Sequence, residues 1–157
     1  MKRFIEYTNL EEEVVSLPSD ETNFIDVKIG HSDYRLEIAD TPQKIQEGLS
    51  GRDCIPRKTG MLFIMPKQSI QEFWMKGCHT DMDILFLDEE GMVVNMERMM
   101  RERSKASFET EALYESRLRL YSSKYPAKYA IEIPAGDITR LGLHIGDSIN
   151  ILTDSGE

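Results

Sequence analysis

The stretch MDILFLDEEGMVVNM, residues 82–96, decides the fold class, because it reads as two strands joined by a short acidic turn. Residues 82–87 are largely apolar on both faces of an extended chain, which is typical of a strand that is covered on both sides. The turn Asp88–Gly91 then leads into a second strand at residues 92–96. The pattern therefore predicts a β-hairpin whose first strand lies in the protein interior.

Further short strands are predicted on both sides of this hairpin. Residues 25–29 and 34–38 alternate apolar and polar side chains around a turn at Gly30, which predicts a second hairpin. Four more segments have strand character, and these are residues 60–65, 71–76, 129–133 and 148–152. Thr41 and Pro42 have the residue types of a helix N-cap and first helical position, so a short helix begins there.

This pattern predicts a mainly β fold, a compact β-sandwich or barrel-like single domain with one or two short helices. Residues 1–22 are acidic and turn-rich, which predicts a tail or loosely attached arm. Residues 23–157 then form the single β-rich domain. Within it, residues 99–117 lose the strand pattern and gain helical spacing, which predicts an inserted helix or loop.

Composition excludes several classes of protein. The 157 residues are 40% hydrophobic and 30% charged, as in an ordinary globular protein, and no apolar run approaches the roughly 18 residues that cross a bilayer. The net charge of −9 makes nucleic acid an unexpected partner. We see no secretory signal and only two cysteines, so we expect an acidic cytoplasmic protein with reduced thiols.

The charge is unevenly distributed along the chain. Residues 98–128 contain eight basic and four acidic side chains. Such a segment could contact phosphate or an acidic partner, but it lacks a recognised nucleic-acid motif. We favour a solvated surface helix or loop as its structure.

Five ordered segments carry a resemblance to a known family. They are GLSGR (48–52), GMLF (60–63), FWMK (73–76), MDILFLDEEG (82–91) and the pair IEIPAG and LGLHIGD (131–147). In this order and spacing the chain resembles the domain of unknown function 192 family over roughly residues 24–152. The resemblance implies a compact, mainly β fold and no established reaction, in a family widespread in bacteria and archaea whose members are often exported.

The chain departs from that family pattern at several positions. Ile45 stands where the family usually has an arginine, and Ser50 stands where it usually has a methionine. Gly77 and Cys78 replace an asparagine and a threonine. Residues 99–117 look like an insertion. The resemblance therefore implies no activity that would need the missing arginine or asparagine.

Metal and thiol chemistry are not predicted. Cys78 and His79 are adjacent, so in an extended chain their side chains point to opposite sides. The remaining candidate ligands Cys54, His31 and His144 do not form a paired motif such as CxxC or HxxxH. We expect no metal and no cofactor, and no nucleophilic pair built on Cys78.

Two carboxylates occupy apolar strand faces. Asp83 shares a strand face with Leu85 and Leu87, and Glu132 stands inside the strand at residues 129–133. A carboxylate buried there needs hydrogen-bond donors or a cation. Structural pairing, with Arg52, Lys76 or backbone amides, is the favoured interpretation, and a catalytic acid–base pair is the alternative.

The best ligand-binding candidates are Glu72, Trp74 and Lys76, which would share one strand face. An indole flanked by a carboxylate and an ammonium group can stack on a planar or sugar-like ligand and orient its polar groups. The alternative is that Trp74 fills a core. Arg52 and Asp83 complete the set of candidate ligand-binding residues.

Three functions follow from these residues. The preferred hypothesis is a non-catalytic module that binds a small molecule or a protein partner through the Trp74–Lys76 face. The second is a hydrolase-like enzyme that uses Asp83 and Glu132, which would then have to share one cleft. The third is a structural or assembly component that docks through the acidic arm and the basic segment.

Overall fold

A six-stranded sheet forms the centre of the molecule, which is described by a computed structural model over residues 22–151. Within these residues the strands are β1 (Phe24–Ile29), β2 (Ser32–Ala39), β3 (Thr59–Ser69), β4 (Glu72–Phe73), β5 (Met82–Leu87), β6 (Val93–Met99), β7 (Tyr121–Ser122) and β8 (Ala127–Pro134). The helices are α1 (Pro42–Glu47), α2 (Glu111–Ser116) and α3 (Asp137–Leu141).

The strands of the central sheet follow the order β1-β2-β3-β8-β5-β6, and β4 and β7 form a separate two-stranded sheet. β2 and β3 are parallel, and the other paired strands of the central sheet are antiparallel. The predicted mainly β, single-domain fold with short helices is confirmed. The sheet stays open, because β1 and β6 lie at its opposite edges.

Both faces of the central sheet are covered by apolar side chains, which explains why β5 is buried along its whole length. On one face, here called the α1 face, Met61, Phe63, Ile84 and Phe86 pack with residues of α1, β4 and β7. On the opposite face, here called the α3 face, Leu62, Leu85, Leu87 and Ile131 pack with residues of β1, α3 and the segment 141–151.

Local sequence explains how these elements begin and meet. The Thr41 hydroxyl accepts a hydrogen bond from the Lys44 amide at 3.2 Å, so the predicted N-cap of α1 is confirmed. At Gly60, β3 lies very close to the backbone of β8. A Cβ atom at this position would overlap the carbonyl oxygen of Glu132, so only glycine allows the two strands to pair here.

Two predicted strands are shorter than the sequence suggested. β4 ends at Phe73, and Lys76 and Gly77 form a turn, with Gly77 at φ +70°. Of the predicted strand at residues 148–152, the structure describes residues 148–151, which make an isolated bridge between Met92 and Ser148 and a hydrogen bond of 2.8 Å from the Ile149 amide to the Gly91 carbonyl.

The predicted inserted segment 99–117 contains α2, while the predicted arm at residues 1–22 lies outside the described residues except for Thr22. Within residues 22–151, the structure contains no helix that is both long and apolar enough to cross a bilayer.

Candidate ligand-binding site

Trp74 lies in a covered position and not at the rim of a cleft. Its side chain packs against Tyr114 of α2 and Leu118, and only 9% of the residue is exposed. The indole Nε1 is buried and has no hydrogen-bond acceptor among residues 22–151. Tyr114 of α2 and Leu118 therefore cover the indole that the sequence predicted as a ligand-binding group.

Lys76 is held by the same segment. Its Nζ lies 2.6 Å from a carboxylate oxygen of Glu111 and 2.5 Å from one of Glu115, and 5.7 Å from the centre of the Trp74 ring. Partial burial lowers the pKa of Lys76, but the hydrogen bonds to the two carboxylates outweigh this and raise it. Glu72 belongs to β4, so it does not share a strand face with Lys76.

Arg52 follows α1 and forms a two-pronged ion pair with Glu37 of β2. Its Nη2 lies 2.9 Å from Glu37 Oε1, and its Nη1 contacts the other carboxylate oxygen. This hydrogen bonding raises the pKa of Arg52. The pair is only partly covered, since 43% of the Arg52 side chain and 21% of the Glu37 side chain are exposed.

Two clefts flank this ion pair, and Arg52 and Glu37 line both of them. The first has a volume of about 240 Å³, and its other lining residues include Gln43, Lys44, Glu47, Ser50 and Met61. The second has a volume of about 180 Å³, and its other lining residues include Leu49, Cys54, Ile55, Thr59 and Gly60. We call the two clefts and the ion pair between them the Arg52 cleft.

Asp83 projects from β5 into the α3 face and is fully partnered. One of its oxygens lies 3.1 Å from Nε of Arg98, and the other accepts hydrogen bonds from the amides of Gly136 at 3.0 Å and Ile138 at 2.9 Å. The predicted structural pairing of this carboxylate is therefore present, with Arg98 and backbone amides as the partners. Its contacts attach the start of α3 to β5.

Glu132 projects from β8 into the α1 face, between Met61 of β3 and Ile84 of β5. Its relative exposure is 0%, and neither carboxylate oxygen has a hydrogen-bond donor within the described part of the chain. Burial raises the pKa of Glu132 to about 8, so the group is mainly a neutral carboxylic acid at pH 7. The favoured interpretation of Glu132 as a paired carboxylate is wrong, since neither Arg52 nor Lys76 bonds to it.

The structure does not bring Asp83 and Glu132 to a common site. Asp83 stands opposite Ile133, and Glu132 stands opposite Ile84, so the two carboxylates are one residue out of register on paired strands. Successive residues of a strand project to opposite faces, which places these side chains on opposite sides of the sheet. The paired arrangement that the hydrolase hypothesis requires is absent.

The two cysteines differ in their surroundings. Cys78 is buried in the α1 face, where burial raises the pKa of its thiol to about 12, whereas Cys54 is exposed. His79 and Asp53 form an exposed pair, with Nδ1 and Oδ1 3.0 Å apart, in a polar cleft of about 540 Å³. Within residues 22–151, His, Cys, Asp and Glu side chains form no group of three suited to holding a metal ion.

The basic segment is largely compensated by acidic residues of the same chain. Arg117 binds Glu109 with a closest distance of 2.7 Å, and Arg98 binds Asp83. Hydrogen bonds from Arg117 lower the pKa of the Glu109 carboxyl to about 2. These internal pairs favour a structural role for part of the segment's charge.

Comparisons with known proteins identify the family and the fold. A Sinorhizobium meliloti protein, described as a "putative transcription regulator", has a crystal structure with a TM-score of 0.67 and 23% identity, covering 86% of this chain and 97% of that one. A protein of unknown function from Novosphingobium aromaticivorans gives a TM-score of 0.65 and 19% identity, covering 87% and 94%. At these identities the likeness shows the fold alone.

The curated proteins contain no match to this chain. The family model that matches is DUF192, described as an uncharacterised ACR family, and it covers residues 25–151. This range includes every strand of the central sheet except the first residue of β1, together with both carboxylates and most of the residues that line the Arg52 cleft. The chain therefore belongs to the DUF192 family, for which no function is established.

Proposed function

We propose that the protein is a non-catalytic module that binds a small molecule in the Arg52 cleft. The observation that carries the proposal is the Arg52–Glu37 pair, which separates two adjoining clefts and is partly open to solvent. Ligand sites in proteins are concave, with a few well-placed polar groups. Here the polar group is a guanidinium whose fork geometry suits a carboxylate or a phosphate.

The ion pair is suited to exchange with a ligand. Partly exposed ion pairs contribute only about 0–1 kcal/mol to stability, because solvent screens the charges and both side chains must be ordered. An anionic ligand group can therefore take the place of Glu37 on Arg52 at little cost. Movement of the Glu37 carboxylate would also join the two clefts into one larger site.

The Trp74–Lys76 face is a weaker candidate for the same function. A ligand could stack on the indole only after α2 and its carboxylates had moved away from Lys76. The hydrolase alternative has less support, because Asp83 and Glu132 project from opposite faces of the sheet.

The proposal is tested by titrating ¹⁵N-labelled protein with a panel of small carboxylates and phosphates. We expect backbone amide shifts to concentrate at residues 43–52 and 59–61. Arg52→Ala should abolish these shifts, because it removes the proposed anion-binding group. Arg57→Ala is the matched control, since Arg57 lies in the same loop, is exposed and should leave binding unchanged.

Amide shifts that cluster around Trp74 and Lys76 would instead place the binding site on the Trp74–Lys76 face, which α2 covers. Equal binding by the wild-type protein and Arg52→Ala would refute the Arg52 cleft as the site. Native mass spectrometry of the purified protein, with and without a chelator, provides an independent search for a retained ligand or metal.

A second candidate function is docking of a protein partner. Met92, Tyr125 and Ile145 are exposed apolar side chains that line an open groove of about 580 Å³. The acidic turn at residues 88–90 also lines this groove, so a basic peptide segment with an apolar side chain is the partner that fits it. Ile145→Asp should abolish binding of such a peptide in a pull-down, whereas Ile70→Asp, outside the groove, should not.

The cellular setting is also part of the proposal. Two free thiols are compatible with a reducing cytoplasm, and fractionation of cells that express the tagged full-length chain tests this location. A net charge of −9 and the compensated arginines of the basic segment argue against nucleic-acid binding.

A further inference from the structure

Glu132 differs from the other buried carboxylates of the described chain. Asp83, Glu109 and Asp137 are also buried, and each of them accepts hydrogen bonds from a side chain of this protein. Both oxygens of Glu132 are buried without a donor among residues 22–151. A buried polar group without a partner is costly, so its presence calls for a specific explanation.

Glu132 is adjacent to the Arg52 cleft through Met61. Met61 stands directly opposite Glu132 on the neighbouring strand, and side chains at such positions project to the same face with Cβ atoms about 5 Å apart. Met61 also lines the larger part of the Arg52 cleft, where 5% of the residue is exposed. It is therefore the side chain that the cleft and the buried carboxyl group share as a neighbour.

The surroundings of Glu132 permit movement. Five methionines belong to the apolar cluster on the α1 face, and they are Met61, Met65, Met75, Met82 and Met99. Methionine is unbranched and flexible, so a methionine-rich cluster can repack around an incoming group more easily than one built from branched side chains. A change in the conformation of the Met61 side chain would open a path from the cleft to Glu132.

We infer that Glu132 is a second anchoring group of the Arg52 cleft and that the ligand is a small zwitterion of the free amino acid type. The carboxylate of this ligand binds Arg52, and its ammonium group reaches Glu132 when Met61 moves aside. The inference rests on the proposed function and specifies its ligand class. It accounts for an exchangeable guanidinium and for a carboxyl group without a donor among residues 22–151, both of which lie near Met61.

Binding of this ligand requires a proton to leave the protein. With a pKa of about 8, Glu132 is mainly protonated at pH 6.5, and an ammonium group beside it favours the ionised form. The carboxyl proton passes to solvent as the ion pair forms. Cys78 is a buried titratable neighbour and stays neutral. The charged groups that line the larger part of the cleft are Glu37, Lys44, Glu47 and Arg52.

The first measurement is isothermal titration calorimetry of the wild-type protein with the free L-amino acids, in buffers of different ionisation enthalpy at pH 6.5. For those that bind, we expect release of about one proton per ligand, and an affinity that rises about tenfold per pH unit between pH 6 and 7.5. Binding without proton release would overturn the inference and leave the proposed function intact.

The second measurement compares each amino acid that binds with the matching carboxylic acid that lacks the amino group. Glu132→Gln should weaken amino acid binding at least about tenfold and abolish proton release, because it removes the anionic partner of the ammonium group. Binding of the deaminated acid, held through Arg52, should be unchanged. Glu90→Gln, at an exposed turn, is the control for loss of one carboxylate elsewhere.

The outcomes of these measurements distinguish the role of Glu132 from the role of the Arg52 cleft. Undiminished amino acid affinity in Glu132→Gln would overturn the role of Glu132 while the Arg52 cleft stands. Failure of amino acids, deaminated acids and all other small anions to shift the amides of residues 43–52 would overturn both. Should Glu132→Gln fail to fold, proton release by the wild-type protein decides the question.

Discussion

Asp83 and Glu132 stand on neighbouring central strands, are both buried, and project from opposite faces of one sheet. On the α3 face, Asp83 accepts hydrogen bonds from one guanidinium and two backbone amides. On the α1 face, Glu132 has apolar neighbours and no donor among the described residues. The two groups have the same chemistry and similar burial, but only Asp83 accepts hydrogen bonds from the described residues.

This contrast shows two ways in which a buried carboxyl group is tolerated. A buried carboxylate is tolerated when hydrogen bonds and a cation replace its hydration, as they do for Asp83. Burial raises the pKa of Glu132, so the group avoids the cost of a buried charge by staying protonated, and it can ionise when a cation arrives. Burial alone identifies neither role, and the donors around each oxygen distinguish them.

Replacement of Asp83 gives the largest expected effect. Asp83→Ala leaves the amides of Gly136 and Ile138 without their acceptor and detaches the start of α3 from β5. The two hydrogen bonds are partly buried, and unsatisfied buried donors cost about 1–3 kcal/mol each, so we expect a loss of about 2–4 kcal/mol in the free energy of unfolding. Urea titration followed by the fluorescence of the single tryptophan, Trp74, measures it.

Asp88 provides the matched control for this variant. Its carboxylate also accepts hydrogen bonds from two backbone amides, those of Glu90 and Met92, both at 2.9 Å, but at an exposed turn. Water can replace these bonds, so Asp88→Ala should cost less than about 1 kcal/mol. Equal losses in the two variants would contradict the importance of burial at Asp83.

The pH dependence of stability provides the second test, now on the α1 face. The pKa of Glu132 is about 8 in the folded chain and 4.5 when exposed, so the native state retains a proton that the unfolded state has lost. The contribution of Glu132 to the free energy of unfolding is fully present below about pH 4.5, and it is lost as the pH rises towards and through 8. The expected slope is about −1.4 kcal/mol per pH unit between pH 5.5 and 7.5.

Glu132→Gln removes the ionisation and should flatten this slope, so its stability relative to the wild-type protein should rise by about 1.4 kcal/mol for each pH unit between pH 5.5 and 7.5. Urea titrations at pH 5.5, 6.5 and 7.5 compare the two chains, and Glu90→Gln controls for the loss of a surface carboxylate. A slope that persists in Glu132→Gln would assign the pH dependence to other groups.

Tyr34 tests whether the α3 face depends on its polar contacts more generally. Its hydroxyl donates to Asp137 at 2.6 Å, and burial together with this carboxylate raises the pKa of Tyr34. Tyr34→Phe removes the donor, but Arg140 still binds Asp137 at 2.7 Å. We expect a loss of about 1–2 kcal/mol by urea titration. Tyr125→Phe, at an exposed tyrosine, should show no measurable loss.

Periodicity in the sequence identified the central strands, because strands covered on both faces have few polar residues in any register. It also placed Asp83 correctly beside Leu85 and Leu87 on one face. It could not predict the parallel pairing of β2 with β3, since that contact joins segments with α1 between them. The Arg52–Glu37 pair and the Arg52 cleft depend on this pairing, so Glu37 and Met61 were missed.

The region around Trp74 was misread for a different reason. Alternation across residues 72–76 predicted one strand face, but β4 ends at Phe73 and α2 covers the indole. Contacts between an inserted helix and a distant loop leave no periodic signal in either segment. The lack of a donor for Glu132 among residues 22–151 depends on the side chains that other strands and α1 place around it, and the pattern of β8 contains no signal of these.

Arg98 gives the smallest expected effect and separates the ion pair of Asp83 from its amide contacts. Arg98→Ala removes the guanidinium 3.1 Å from Asp83, but both backbone amides continue to donate to the carboxylate. Since 49% of the Arg98 side chain is exposed, solvent screens the pair and the loss should stay below about 1 kcal/mol. Arg119→Ala is the control, because Arg119 is 65% exposed and lies 3.9 Å from Glu97.

A loss in Arg98→Ala as large as in Asp83→Ala would mean that the charge of Arg98, and not the two backbone amides, stabilises the buried Asp83 carboxylate. The contrast between the two faces would then reduce to the presence or absence of one arginine.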